Sequence, residues 1–266
     1  MEHVSKSVTL VELKRSLVPP KWEDTVRVIG ISECKEAGLS LAHSFAADDL
    51  SQYLLDADDM ANYSAEQKWK LHVDIMTYIA AAHCYNGIVT TIGPDHDAVA
   101  LWMPPGKDAD DWWTNLRSGM WRLNYQLTAE GRRRYYDELL PLLHDTKAEV
   151  MGERDNDCYY LVYLGTKPNA RGKGYARKLL SHMIDKADGE NRAVYLESSS
   201  LSNNAYYRKF GFEFKREIRL TGGGTSVSLF IMVREPVPRK TGIYSAVVSS
   251  NIKMQVNAAL KEAVRA

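Results

Sequence analysis

The stretch Ala170-Arg171-Gly172-Lys173-Gly174-Tyr175-Ala176 constrains this chain more than any other. Before it runs Cys158 to Gly165, apolar and rich in β-favouring residues, and then Thr166-Lys167-Pro168-Asn169. After it, Ala176, Leu179, Leu180, Met183 and Ile184 recur at helical spacing. The order is strand, basic glycine loop, helix. The first N–H groups of a helix have no internal partner and sit at the positive end of its dipole, so such a loop suits a phosphate. Gly172 and Gly174 remove side chains that would keep a pyrophosphate away, Arg171 and Lys173 add positive charge, and Ala176 keeps the first turn slim. The pattern is neither G-x-G-x-x-G nor G-x-x-x-x-G-K-[ST], which excludes the dinucleotide fingerprint and the P-loop. Taken alone, the two glycines also suit a plain βα turn.

The rest of the chain reads as one folded body of about residues 25–235. Residues 1–24 read as an arm, because Pro19-Pro20 favours an extended segment, and 236–266 read as a polar C-terminal extension with spaced Val and Ile. Val26 to Gly30 predicts a strand and Glu33 to Ala47 a helix with Ser32 as its N-cap. Ser64 to Tyr85 predicts a helix: Ser64-Ala65-Glu66-Gln67 fits a capping box, and Trp69, Val73, Met76, Ile79 and Ala80 form one stripe. Ile88 to Ile92 and Ala98 to Met103 predict a hairpin turned at Gly93-Pro94-Asp95-His96. Residues 108–147 show no strand pattern and read as a helical insertion. Ala193 to Leu196 predicts a strand, Asn203 to Phe210 a short helix, and Phe212 to Leu220 with Ser226 to Arg234 a last hairpin turned by Gly222-Gly223-Gly224.

Charge and composition narrow the function. Lys+Arg 34 balance Asp+Glu 34 in 266 residues, which argues against a nucleic-acid or membrane-surface binder. There is no apolar run of the ~20 residues a bilayer span needs and no signal-peptide pattern, so a cytoplasmic protein is expected. Cys34, Cys84 and Cys158 are odd in number and widely spaced, suggesting reduced, mostly buried thiols rather than disulfides or zinc ligands. Asp95-His96-Asp97 cannot easily converge on one ion from a hairpin turn, and no metal is expected.

Arg171-Gly172-Lys173-Gly174-Tyr175-Ala176 resembles the [QR]-x-x-G-x-[GA] signature of the GCN5-related N-acetyltransferase (GNAT) superfamily. Tyr159 to Pro168 resembles that family's splayed fourth strand, and Asn203 to Phe212 its N-x-x-x-Y-x-x-x-G-F segment. Leu196-Glu197-Ser198-Ser199, with Asn203 and Tyr207, and Leu101-Trp102-Met103-Pro104-Pro105-Gly106 are similar to the puromycin N-acetyltransferase-like branch. The resemblance covers about residues 25–234 and is strongest over 157–214.

What the resemblance implies is an α/β (α+β) GNAT fold: a twisted, mostly antiparallel mixed sheet of six to seven strands flanked by helices, here with a helical insertion. It implies an acetyl-CoA-dependent N-acetyltransferase, whose acceptor in the puromycin-like branch is a small-molecule primary amine. A protein or peptide acetyltransferase, with an open groove in place of a roofed pocket, and a non-catalytic acyl-CoA-binding interaction module are the alternatives. Acetyl-CoA would lie on Arg171, Gly172, Lys173, Gly174, Tyr175 and Ala176, with Asn203 bonding it or holding its loop. The backbone N–H groups of Leu164 and Thr166 would serve the thioester carbonyl and the pantetheine amides where the fourth strand splays after Leu164. Glu197, at a strand end, is the expected base, although a water chain or a plain structural carboxylate is equally compatible. Tyr207 is the expected acid for the leaving thiolate. Adjacent helical residues diverge by about 100°, which makes Tyr206 the core residue of the pair.

Three further features have a structural and a functional reading. Trp102, Trp112, Trp113 and Trp121 suit a packed core better than an acceptor pocket, with one or two rings reaching that pocket. Asp108, Asp110 and Asp111 either attract a cationic amine or start a helix. Arg132-Arg133-Arg134, next to Asp137 and Glu138, reads as a solvated helix face. The apolar spacing of the C-terminal extension allows a homodimer.

Overall fold

The computed structural model describes residues 17–108, 111–222 and 226–238. The first part of the arm, Asp110, the centre of the Gly222-Gly223-Gly224 turn and nearly all of the C-terminal extension therefore lie outside the described residues. Seven strands form one sheet in the order β1-β2-β3-β4-β5-β7-β6. They are β1 (Arg27–Ile29), β2 (Ile88–Ile92), β3 (Ala98–Met103), β4 (Cys158–Thr166), β5 (Ala193–Ser198), β6 (Glu213–Leu220) and β7 (Val227–Arg234). Every neighbouring pair is antiparallel except β4 and β5, which run parallel and need a crossover helix. This is the mixed, mostly antiparallel sheet that the motifs implied.

Helices cover both faces. On one side lie α1 (Cys34–Ser44), α2 (Asp49–Leu55) and α3 (Ala65–Asn86), joined by the insertion: α4 (Trp112–Ser118), α5 (Leu123–Gln126), α6 (Ala129–Arg132), a π-helical stretch Arg133–Leu139 and α7 (Leu140–Met151). On the other side lies the crossover helix α8 (Tyr175–Gly189), and α9 (Leu201–Arg208) follows β5. Because both faces are covered, every residue of β3 is buried, whichever way its side chain points. Two cores result. Leu41, Ile75, Leu101 and Tyr195 belong to the first, whereas Trp102, Leu179, Leu180 and Met183 pack beneath α8 in the second.

Local sequence explains most element ends. Ser64 accepts the Gln67 N–H while the Gln67 side chain accepts the Ser64 N–H, completing the capping box of α3. Gly38 lets α1 lie close on α3, since a Cβ there would stand 2.6 Å from the Thr77 Cα. Two expectations fail at the start of the chain. Ser32 is not an N-cap; a 3₁₀ turn, Ile31–Glu33, leads into α1, whose cap position Glu33 makes no side-chain bond. Pro20 does not continue an extended arm but opens a 3₁₀ turn, Pro20–Glu23, where its fixed φ suits the first helical position. Helix α2 was not anticipated, although Asp48 caps it through Leu50 N–H and Ser51 N–H. Trp69, assigned to the buried stripe of α3, stands 36% exposed and stacks on His43 and His72.

Candidate active site

The site begins where β4 leaves β5. β4 pairs with β3 from Tyr160 to Thr166 but with β5 only from Cys158 to Leu161. The register against β3 slips between Leu101 and Trp102, so Val162 has no opposite partner. Consecutive residues Val162 and Tyr163 then pack on the first core, while Leu161 and Leu164 face the second. Such a bulge bends a strand, and the splay starts after Leu161 rather than after Leu164 as expected. The Lys167 N–H bonds the Asp97 carbonyl on the β3 side at 2.9 Å. By strand alternation the N–H groups of Leu164 and Thr166 point the other way, into the gap.

A cavity of about 550 Å³ occupies that gap. Glu197 and Tyr207 both line it, Glu197 from the face that carries the first core and Tyr207 from among the residues beneath α8. On β5, Tyr195 and Glu197 share one face. The Tyr195 ring stacks edgewise on Tyr160, centroids 5.4 Å apart. Burial pushes the Glu197 carboxyl up to about 7, with the hydroxyls of Tyr160 and Tyr195 opposing the rise less strongly. Glu197 Oε1 and the Tyr195 hydroxyl are both buried and have no partner in hydrogen-bond geometry, so the two tyrosines act on the carboxylate by proximity. A carboxyl near 7 can take and release a proton at neutral pH.

Tyr207 rests on Phe212, ring centroids 5.7 Å apart, and burial raises its hydroxyl well above the ordinary tyrosine value. Its proton is therefore in place at neutral pH. Tyr206 does not line the cavity; half-buried, it packs on Phe210 at 5.1 Å against the second core, as expected of the core member of the pair. Asn203 is exposed and borders the cavity from the first turn of α9.

The glycine loop lies beyond the open end of β4. Gly172 and Gly174 have φ +83 and +79, and a Cβ at either would meet nothing within 4 Å. Among the described residues, therefore, no other side chain crowds the space that these glycines leave bare in front of α8, which fits the approach of a phosphate. Lys178 N–H makes the first helical bond, to the Gly174 carbonyl at 3.1 Å, so the N–H groups of Tyr175 and Ala176 precede it. The Tyr175 side chain is buried in the second core, so only its backbone can serve a ligand. Arg171 reaches back to the Thr166 and Ser44 carbonyls, both at 3.4 Å. Lys173 stands 3.9 Å from Glu23, and Lys178 bonds Asp24.

The insertion roofs the cavity. Tyr135 and Leu139, from the π-helical stretch, line it together with Leu140 and Leu143. This roof is fastened at a distance: Tyr53 donates to Glu138 at 2.6 Å, and the Gly222 N–H donates to Tyr53 and Glu138. Arg134 is not on a solvated face. It is buried, its guanidinium donating to the Tyr53 carbonyl and to Glu130, whereas Arg133 forms a fork on Glu130. The tryptophans divide. Trp102 is core, but Trp112 and Trp113, 67% and 63% exposed, pack edgewise on each other outside the core, Trp121 is 39% exposed, and none of these three lines the cavity. Asp111 caps α4 through the Thr114 N–H, the helix-start reading.

Sequence reasoning missed Asp48, Tyr160, Tyr163 and Lys147, which also line the cavity. For Asp48 the signal was present, since Asp48-Asp49-Leu50-Ser51 is a helix-start pattern. The others come from strand and helix faces whose partners lie far away in sequence. Among the described residues no group of three or more His, Cys, Asp or Glu could hold a metal ion, and no helix is long and apolar enough to cross a membrane. Cys34 and Cys158 are buried and Cys84 half-buried, all as free thiols.

Comparison with known proteins concerns the family and the fold. The model of the acetyltransferase (GNAT) family matches residues 96–212. An uncharacterised N-acetyltransferase of Schizosaccharomyces pombe, C550.08, is 40% identical over 230 residues, covering 86% of this chain and 91% of its own. The crystal structure of a histone acetyltransferase HPA2 and related acetyltransferase from Corynebacterium glutamicum has a TM-score of 0.50 at 20% identity, over 82% of this chain and 98% of that one. Arylalkylamine N-acetyltransferase 2 from Aedes aegypti has a TM-score of 0.51 at 16% identity, over 79% and 98%. These two similarities concern the fold.

Proposed function

Because the chain belongs to the GNAT acetyltransferase family, we propose that it moves the acetyl group of acetyl-CoA to the primary amine of a small molecule by direct attack on the thioester. The observation that carries this reading is the single cavity bordered by Glu197 on one side of the gap in the sheet and Tyr207 on the other, under the roof of the insertion. A roofed cavity admits a small amine more readily than a folded protein surface.

Acetyl-CoA supplies the acyl group as a thioester. The backbone N–H groups at the start of α8, with Arg171 and Lys173, hold its pyrophosphate, while Asn203 borders the path to the cavity. Leu164 and Thr166 N–H, left without a β5 partner, stabilise the negative charge that builds on the carbonyl oxygen. An amine of pKa about 10.4 is neutral in fewer than about one molecule in a thousand at pH 7. Glu197 takes the ammonium proton, directly or through water, and frees the lone pair that forms the N–C bond. As the C–S bond breaks, the electron pair goes to sulfur and Tyr207 donates its proton there. The attacking nitrogen gives up its second proton to solvent, which returns one to the Tyr207 oxygen, and Glu197 releases the proton it took; the products are the N-acetyl amine and the free thiol.

The experiment is calorimetric titration with acetyl-CoA, using NAD as control, followed by thiol release in the presence of primary amines. Saturable one-site binding and amine-dependent thiol release are expected. Absence of acetyl-CoA binding would overturn the reading.

A further inference from the structure

Resting on that reading, we infer that the acceptor is a primary monoamine with an apolar body, and that polyamines are poor acceptors. The inference follows from which charges in the cavity are already engaged. Five carboxylates among the described residues line it: Asp48, Asp108, Asp145, Asp155 and Glu197. Asp48 is committed to the fold, its Oδ2 accepting the Leu50 and Ser51 N–H groups and its Oδ1 the Ser199 hydroxyl at 2.6 Å. Asp155 pairs with Lys147 at 2.5 Å. Asp108 and Asp145 are exposed, at the rim. Glu197 remains, inside the cavity, with Oε1 buried and unpartnered. One interior carboxylate neutralises one ammonium.

The surrounding wall is largely apolar, with His83, His144 and the Asp155-paired Lys147 among its polar members. Phe45, Ile79, Met120, Tyr135, Leu139 and Leu143 line the half of the cavity beneath the insertion. A diamine with one nitrogen at Glu197 finds, among the described residues, no second unengaged carboxylate inside the cavity for its other ammonium, and a buried charge without a partner is strongly disfavoured. A methyl or a ring in the same place gains from every apolar group removed from water. The acceptor's second end is therefore selected for being uncharged, and the insertion residues set how long and how wide it is.

The test uses the unmodified enzyme at saturating acetyl-CoA, reading thiol release with n-propylamine, n-pentylamine, 2-phenylethylamine, putrescine and spermidine. In n-pentylamine a methyl group stands where putrescine carries its second ammonium, so that pair isolates the charge. We expect kcat/KM to rise about threefold per methylene from propylamine to pentylamine and pentylamine to exceed putrescine by at least about tenfold. A flat alkyl series, or putrescine or spermidine matching pentylamine, overturns the inference and leaves acetyl transfer standing. Acetyl-CoA binding with no thiol release from any of these monoamines also overturns it. Failure to bind acetyl-CoA at all removes the acetyl-transfer reading beneath it, so the two failures are distinguished by the calorimetry.

Discussion

The α8 side of the sheet and the insertion side build the candidate site from chain segments of very different reach. On the α8 side, β4, the glycine loop, α8, β5 and α9 follow one another from Cys158 to Arg208. The contacts offered there are largely backbone: the N–H groups at a helix start, those of a splayed strand, and two glycines that leave space. On the insertion side, Phe45 after α1 and residues from α3, the π-helical stretch, α7 and β5 converge, and what they offer is side chains. Recognition through local backbone geometry tolerates change in side chains, whereas a wall of converging side chains can be altered one residue at a time. The first suits an unvarying donor and the second a selectable acceptor.

Exchanging single groups tests whether the two halves really divide the work this way. The largest effect is expected at Tyr207, which the proposed mechanism assigns to the sulfur alone: Tyr207→Phe should lower kcat about 100-fold or more while calorimetry shows acetyl-CoA affinity unchanged. Weakened acetyl-CoA binding with preserved kcat would make the ring a packing element and blur the division.

Glu197→Gln comes next, with kcat/KM down about 100-fold and the acidic limb of the pH profile, centred near 7, abolished. The same substitution carries a stability signature. The folded carboxyl titrates near 7 and an unfolded one near 4.5. The native state therefore binds the extra proton between those values, and its stability is full below 4.5 and lost as pH rises through 7. At pH 8 the ionised, buried carboxylate costs about 3 kcal/mol, so Glu197→Gln should raise the pH 8 melting temperature and leave the pH 4 value nearly unchanged. Equal shifts at both pH values would contradict the assignment.

Gly174→Val sharpens the donor side. The left-handed φ of +79 makes the substitution cost about 1–2 kcal/mol in the free protein. The new methyl groups would intrude where a phosphate approaches, so acetyl-CoA affinity should fall about tenfold or more with kcat at saturation preserved. The smallest effect is expected at Tyr53→Phe, which releases the roof from Glu138 and Gly222. It should cost about 1 kcal/mol of stability and raise the KM for the acceptor but not for acetyl-CoA. An equal rise for both would show that the halves are mechanically coupled.

The legibility of the two halves follows the same divide. The strand, loop and helix from Cys158 to Gly189 could be read directly, because periodicity and turn chemistry act over a few residues, whereas Tyr207 was singled out by the family resemblance, the helical angle adding only that Tyr206 faces elsewhere. The splay was anticipated, but not its position, since the bulge at Val162 is set by the register against β3, a strand some sixty residues earlier. Arg134 illustrates the failure on the other side: its neighbours in sequence suggested solvent, yet Tyr53, 81 residues away, buries it. The exposure of Trp112 and Trp113 is the reverse case, in which composition suggested a core and the path of the insertion left both rings outside.

Local chemistry was thus enough to establish a strand, a phosphate-competent glycine loop and a helix in that order, because each depends on residues within one turn or one strand of each other, whereas the mixed sheet and the choice of Tyr207 came from the family resemblance of the motifs. Only the folded chain decided that Glu197 is buried with Tyr160 and Tyr195 beside it, that Asp48 and Asp155 are already engaged, and that the insertion closes an apolar roof over them. Burial and charge pairing are properties of side chains brought together from distant parts of the sequence, and no pattern along the chain specifies which of them will meet.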